Sequence, residues 1–217
     1  MKTLIAIPCM DQVAAGFCGS LATLAKVGEC TVSMLCGSLI YDSRNNLCKQ
    51  ALQIDADYVL FLDSDMVFEP DLLERMMKHM EDGKDIVTGL YFRRGSPFTP
   101  VIFKEFVPGE GKDETVAKGY EDYPAGEVFE VAACGGGALM ISKKVLVDVA
   151  LNYHTWFDPI FHAGEDMSFC WRARELGYKI WCDSTIPLGH VGQMIVTEAI
   201  YHATRDKEAK KNAEELQ

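Results

Sequence analysis

Short, continuous apolar runs alternate with longer amphipathic ones through most of the chain. "TLIAIP" reads as a first buried strand and "CTVSML" as a second, with helices expected over about 12–26 and 42–54. "ADYVLFLD" makes a third strand. The next helix is the best marked. Pro70 suits a first helical turn, Asp71 and Glu74 suit its cap, and Leu72, Leu73, Met76, Met77 and Met80 recur on one face. That methionine stripe reads as core packing. "DIVTGLYF" gives a fourth strand, "VIFKEFV" a hairpin strand, and residues 108–126 a polar loop containing Gly and Pro. "EVFEVAACGGGALMIS" reads as one strand interrupted by three glycines. A helix is expected over about 165–176, ended by Gly177, then a last strand in "YKIWCDS" and a loop in "PLGHVG". Continuous apolar strands separated by helices imply an α/β domain: a mostly parallel sheet covered on both faces, with a small antiparallel addition. One such domain is expected over residues 1–193, followed by a charged helical or frayed tail over 194–217.

In that scheme Asp63-Ser64-Asp65 falls at the carboxyl end of a parallel strand, where open α/β sheets bind ligands. Two carboxylates so close repel unless positive charge lies between them. Three readings fit. A divalent cation can share the carboxylates with the phosphate oxygens of a nucleoside diphosphate. "DSDMV" also matches the D-x-D-x-[TV] motif of haloacid-dehalogenase phosphatases, with Asp63 as nucleophile and Asp65 as acid/base. Finally, both residues can be turn and cap aspartates ahead of the Pro70 helix.

Composition narrows the partners. A net charge of -11 argues against a nonspecific hold on nucleic acid or an anionic membrane. An anionic substrate then needs local arginines, a helix N-terminus or a bound cation. The eight cysteines include no C-x-x-C pair and several sit in apolar stretches, which reads as reduced thiols in a cytoplasmic protein. The apolar opening is too short for a signal peptide and is interrupted by Pro8, and no stretch approaches the length of a membrane span.

Two further features bear on the aspartates. "HAGEDMSFCWRARELGY" sets Glu165 and Asp166 at the start of an amphipathic helix, where acidic residues also simply complement the helix dipole. "LGHVG" isolates His190 between glycines, and imidazole with carboxylate and phosphate oxygens suits Mn²⁺. Asp63-Ser64-Asp65, the triglycine Gly135, Gly136 and Gly137, Glu165-Asp166 ahead of "RARELGY", and His190 follow one another as they do in GT-A glycosyltransferases. The chain resembles most the small family 2 members, and "SRNNLCKQAL" before "ADYVLFLDSD" adds to the likeness, which spans roughly residues 3–195.

The resemblance implies a Rossmann-like GT-A domain that moves a hexosyl group from a nucleotide-sugar to an acceptor hydroxyl, carbohydrate or other, with Mn²⁺ or Mg²⁺. It implies that Asp65 and His190 bind the metal, with Asp63 holding the ribose or a metal-bound water. Pro8, Cys9, Met10 and Asp11 would face the nucleoside, and Arg44 the base or diphosphate. Gly135 to Gly137 would let backbone approach the donor closely, and Asp166, or less favourably Glu165, would be the base if the configuration inverts. A UDP-sugar is the first donor to consider. However, Cys36-Gly37-Ser38 stands where many members carry a base-gripping acidic residue, and the Q-x-x-R-W motif of polymerising relatives is missing. The phosphatase and a non-catalytic nucleotide-sugar-binding module remain the alternatives.

Overall fold

The structure is a computed structural model and describes residues 1–37, 39–111 and 114–193. The expected tail over 194–217 lies outside the described residues. The elements run β1 (Lys2–Cys9), α1 (Ala15–Thr23), β2 (Glu29–Cys36), α2 (Ile40–Gln53), β3 (Tyr58–Leu62), β4 (Met66–Phe68), α3 (Leu72–Glu81) and β5 (Ile86–Gly89). They continue through β6 (Ile102–Val107), β7 (Val116–Gly119), β8 (Val128–Val131), β9 (Ala133–Cys134), β10 (Ala138–Ser142), α4 (Lys143–Tyr153), α5 (Glu165–Glu175), β11 (Ile180–Asp183) and β12 (Leu188–His190).

A seven-stranded sheet in the order β2-β1-β3-β10-β5-β11-β8 forms the middle layer. β1, β2, β3, β5 and β11 run in one direction and β10 and β8 oppose them, so the sheet is mostly parallel. Side chains alternate between its two faces, as a pleated strand requires. Leu4, Ala6, Val59, Phe61, Leu139 and Ile141 join one buried cluster, together with Leu47 of α2, Val145 of α4 and Phe169 of α5. Ile5, Ile7, Leu60, Leu62, Ala138 and Met140 face the opposite cluster, with Phe17 of α1 and the Leu72–Met80 stripe of α3. Helices on both faces make the expected α/β sandwich, and the apolar strand runs are a direct consequence of that double burial.

Three local departures matter to the site. The first helix is shorter than expected because residues 12–14 leave the helical path: the Ala14 N–H donates to the Ser64 carbonyl at 2.9 Å. The "one strand" over 127–142 is three, with β8 and β10 in the large sheet and β9 in the small sheet β7-β6-β9. It then passes into α4, a helix with no counterpart in the sequence reading, started by the Ser142 hydroxyl accepting from the Val145 N–H. "PLGHVG" is not only loop: β12 pairs antiparallel with β4, setting His190 opposite Met66.

Candidate functional site

The turn between β3 and β4 carries Asp63, Ser64 and Asp65, and it opens onto a cleft of about 840 Å³ at the carboxyl ends of β1 and β3. Pro8, Cys9, Met10 and Asp11 line it from the end of β1, Gln12 to Ala14 from the unwound start of α1, and Ile40 from α2. Arg94 and Gly95 enter from the segment after β5, and His190, Val191 and Gln193 from β12 and beyond. The short β4–β12 pair is what brings positions so distant in sequence together. One residue beyond its rungs the Val191 N–H donates to the Asp65 carbonyl at 2.8 Å.

At the floor of this cleft His190 Nε2 stands 3.4 Å from Asp65 Oδ2, on which the Arg94 guanidinium also closes at 2.5 Å. The other imidazole nitrogen, Nδ1, lies 2.9 Å from the Phe92 carbonyl, which can only accept. Nδ1 therefore carries a proton, and Nε2 is the nitrogen turned to Asp65. Burial raises the Asp65 carboxyl, but the hydrogen bond and charge of His190 and the charge of Arg94 outweigh it and hold it below the usual range. His190 is raised in turn, chiefly by the hydrogen bond to Asp65.

A second charged cluster lies behind Asp63. Arg44 is 2% exposed, its guanidinium packed between the rings of Phe61 and Phe157 at 5.5 and 5.7 Å. It donates from Nη2 to Asp63 Oδ1 at 2.7 Å and from Nη1 to the Gly136 carbonyl at 3.2 Å, and Nε lies 3.4 Å from Glu165 Oε1. Burial works against its charge, but Asp63, Glu165 and Asp166 together raise its pKa further. Asp166, in the first turn of α5, is pushed up to about 6, first by burial and then by repulsion from Glu165. Arg44 and the Met167 N–H, which donates to Asp166 Oδ1 at 2.7 Å, oppose that rise without cancelling it. The helix N-terminus, which alone would make Asp166 more acidic, is thus the weaker influence.

Two sequence expectations change here. Arg44 does not line the cleft. It is a buried clamp between the two acidic pairs, so its expected contact with base or diphosphate finds no support in its placement. Gly135, Gly136 and Gly137 are also buried, and each packs closely against protein. A Cβ on Gly135 would meet the Tyr91 hydroxyl at 2.0 Å, and one on Gly136 the Arg44 guanidinium at 2.7 Å. Tyr91, whose hydroxyl accepts from the Gly137 N–H at 3.0 Å, is a site-building residue without an individual role in the sequence. Asn45 is another it passed over. Its Oδ1 accepts from the Trp156 and Phe157 N–H groups and its Nδ2 donates to Asp158, tying the segment before α5 to α2. Trp156 and Phe157 are consequently buried anchors. Asn45 was legible only as one more polar residue in "SRNN", and Tyr91 only as the end of an apolar run.

Among the described residues no group of three or more His, Cys, Asp and Glu side chains gathers into a closed metal cage. Asp65 and His190 form a two-residue donor set instead. It suits a hard or borderline divalent cation that takes its other ligands from phosphate and water. A cationic guanidinium already stands against the same carboxylate oxygen, so the position accepts positive charge. Among the described residues no helix is long and apolar enough to cross a membrane. The eight cysteines are free. Cys9, at the cleft wall with Sγ 3.2 Å from that of Cys36, is pushed up to about 11 by burial and by its neighbour, and it stays a neutral thiol.

Residues 42–148 match the family model described as glycosyl transferase family 2, a span covering most of α2, the Asp63-Ser64-Asp65 turn and the triglycine. The chain is 26% identical over 164 residues to mannan polymerase complex subunit mnn9 of Schizosaccharomyces pombe, an alignment covering 64% of this chain and 47% of that protein. It thus spans about half the length of that curated relative. Among solved structures, A197 from STIV superposes with a TM-score of 0.60 at 19% identity, over 91% of this chain and 97% of that one. S. aureus TarS 1-349, solved with UDP-GlcNAc, superposes with a TM-score of 0.54 at 16% identity, over 91% of this chain and 60% of its own. The chain thus shares the fold of those two structures, and the stretch around its D-x-D turn is similar to family 2 glycosyltransferases.

Proposed function

We propose that the protein transfers a sugar from a nucleoside-diphosphate sugar to an acceptor hydroxyl, with Mn²⁺ or Mg²⁺ held by Asp65 and His190. The observation that supports this most is the convergence of Asp63, Asp65 and His190 on one cleft. When bound, the cation supplies positive charge where the departing diphosphate becomes more negative. Asp63 is fixed from behind by Arg44 at 2.7 Å, so its free oxygen is oriented to hold the ribose or a water. Pro8, Cys9, Met10 and Asp11 face the nucleoside from the wall of the cleft, where the neutral Cys9 thiol brings no charge to the base.

If the configuration inverts, Asp166 takes the acceptor proton. At about 6 its pKa leaves it ionised at neutral pH yet more basic than an ordinary aspartate, which suits a general base. Glu165 is directed at Arg44 and is less free for that role. A UDP-sugar is the first donor to test, since TarS is solved with UDP-GlcNAc, and a carbohydrate is the first acceptor, since the yeast relative is named for mannan polymerisation. Free thiols throughout fit a reducing compartment, and we place the enzyme in the cytoplasm.

Calorimetric titration of UDP, GDP, CDP and dTDP, each with and without Mn²⁺, tests the reading. Binding of one diphosphate that requires Mn²⁺ and is lost in Asp65→Ala is the expected result. Equal binding with and without the metal, unchanged in that variant, would sink it.

A further inference from the structure

Among the described residues, Arg94 is the one cleft cation that the roles above leave unused. Its backbone is held in place. The Arg93 N–H donates to the Thr99 carbonyl at 2.9 Å, Phe92 bridges to Pro100, and a Cβ on Gly192 would lie 2.8 Å from the Arg94 carbonyl oxygen. The side chain, by contrast, is 62% exposed and lines the cleft where it reaches Asp65 Oδ2. That oxygen is also the one nearest His190 Nε2. A cation bound between Asp65 and His190 therefore needs the place the guanidinium now occupies, and two positive charges on one carboxylate oxygen repel. An arginine on an anchored backbone can leave without unfolding anything. Its fork of N–H donors matches phosphate oxygens as well as carboxylate.

Resting on the metal-site reading above, we infer that Arg94 is an exchangeable counter-ion. It holds Asp65 while the donor is absent, gives the carboxylate up to the divalent cation, and transfers to the diphosphate of the incoming nucleotide. The arrangement makes metal and nucleotide binding mutually dependent. Metal alone must displace Arg94 with nothing to receive it, whereas metal with diphosphate gives the guanidinium a new anionic partner. It also leaves Asp65 neutralised in the empty cleft, where Asp11 and Asp63 already lie nearby.

The test measures uptake of Mn²⁺ alone, from the loss of the free-ion electron paramagnetic resonance signal, in the wild type, Arg94→Ala and Asp65→Ala. It also measures UDP affinity at saturating Mn²⁺ in the wild type and Arg94→Ala. Without its competitor, Arg94→Ala should bind Mn²⁺ alone about two- to fivefold tighter, the scale of an exposed ion pair. Its UDP affinity at saturating Mn²⁺ should fall by about the same factor or more. Equal Mn²⁺ affinity in wild type and Arg94→Ala, with uptake abolished in Asp65→Ala, would overturn the exchange and leave the metal site standing. Mn²⁺ uptake unaffected by Asp65→Ala, or absent in every chain, would overturn both. Unchanged UDP affinity in Arg94→Ala would remove the transfer to diphosphate.

Discussion

Asp166 has the most consequential environment of any single residue. Its carboxyl binds a proton at about 6 in the folded chain against a reference of 3.8. Between those values the folded state holds more protons than the unfolded one, so stability falls as pH rises from about 4 through 6 and then levels off. Asp166→Asn removes the titrating group. Denaturant melts should show little difference between variant and wild type near pH 4. The variant's advantage should grow to on the order of 1–3 kcal/mol above pH 7. If Asp166 is the base, the same substitution should lower the transfer rate by about 10²–10⁴-fold. A more stable and much slower enzyme is the signature of strain kept for chemistry, whereas a less stable one would count against the buried-charge account.

At the scale of elements, the triglycine between β9 and β10 sets how closely the chain approaches α2. The Arg44 guanidinium cannot step aside to admit a methyl group, since two rings and two carboxylates hold it. Gly136→Ala should therefore cost about 1–3 kcal/mol as overpacking. Gly119→Ala, on β7 with nothing within 4 Å of its Cβ, should stay within about 0.5 kcal/mol in the same denaturation assay. The triglycine also illustrates what was legible beforehand. Its presence and order along the chain pointed to the fold, but a glycine records only that a side chain is excluded, not by what. The strands announced themselves because both faces are buried, and α3 because its stripe faces one cluster. α4 did not, since "KKVLVDVALN" is rich in β-branched residues and its Ser142 start coincides with a strand end. His190 was visible as a histidine, but its three-residue strand was not, because so short a pairing has no period of its own.

For the whole molecule, net charge opposes the substrate. At -11 the chain repels an anionic nucleotide and attracts a divalent cation. Screening weakens both effects once the Debye length falls to about 10 Å near 0.1 M salt. Rapid-mixing measurements from low to moderate salt should show UDP, added at saturating Mn²⁺, associating faster as salt rises, and Mn²⁺ added alone associating more slowly. A matched fall for both would place the governing charges in the cleft alone. Within this acidic body the buried Arg44 faces Asp63 on one side and Glu165 with Asp166 on the other. Sharing one guanidinium couples the two acidic pairs electrostatically. A cation arriving beside Asp63 offsets that carboxylate's repulsion of Asp166, and so eases the ionisation of Asp166. If Asp166 is the base, donor loading would ready it for the acceptor proton without moving a single backbone atom.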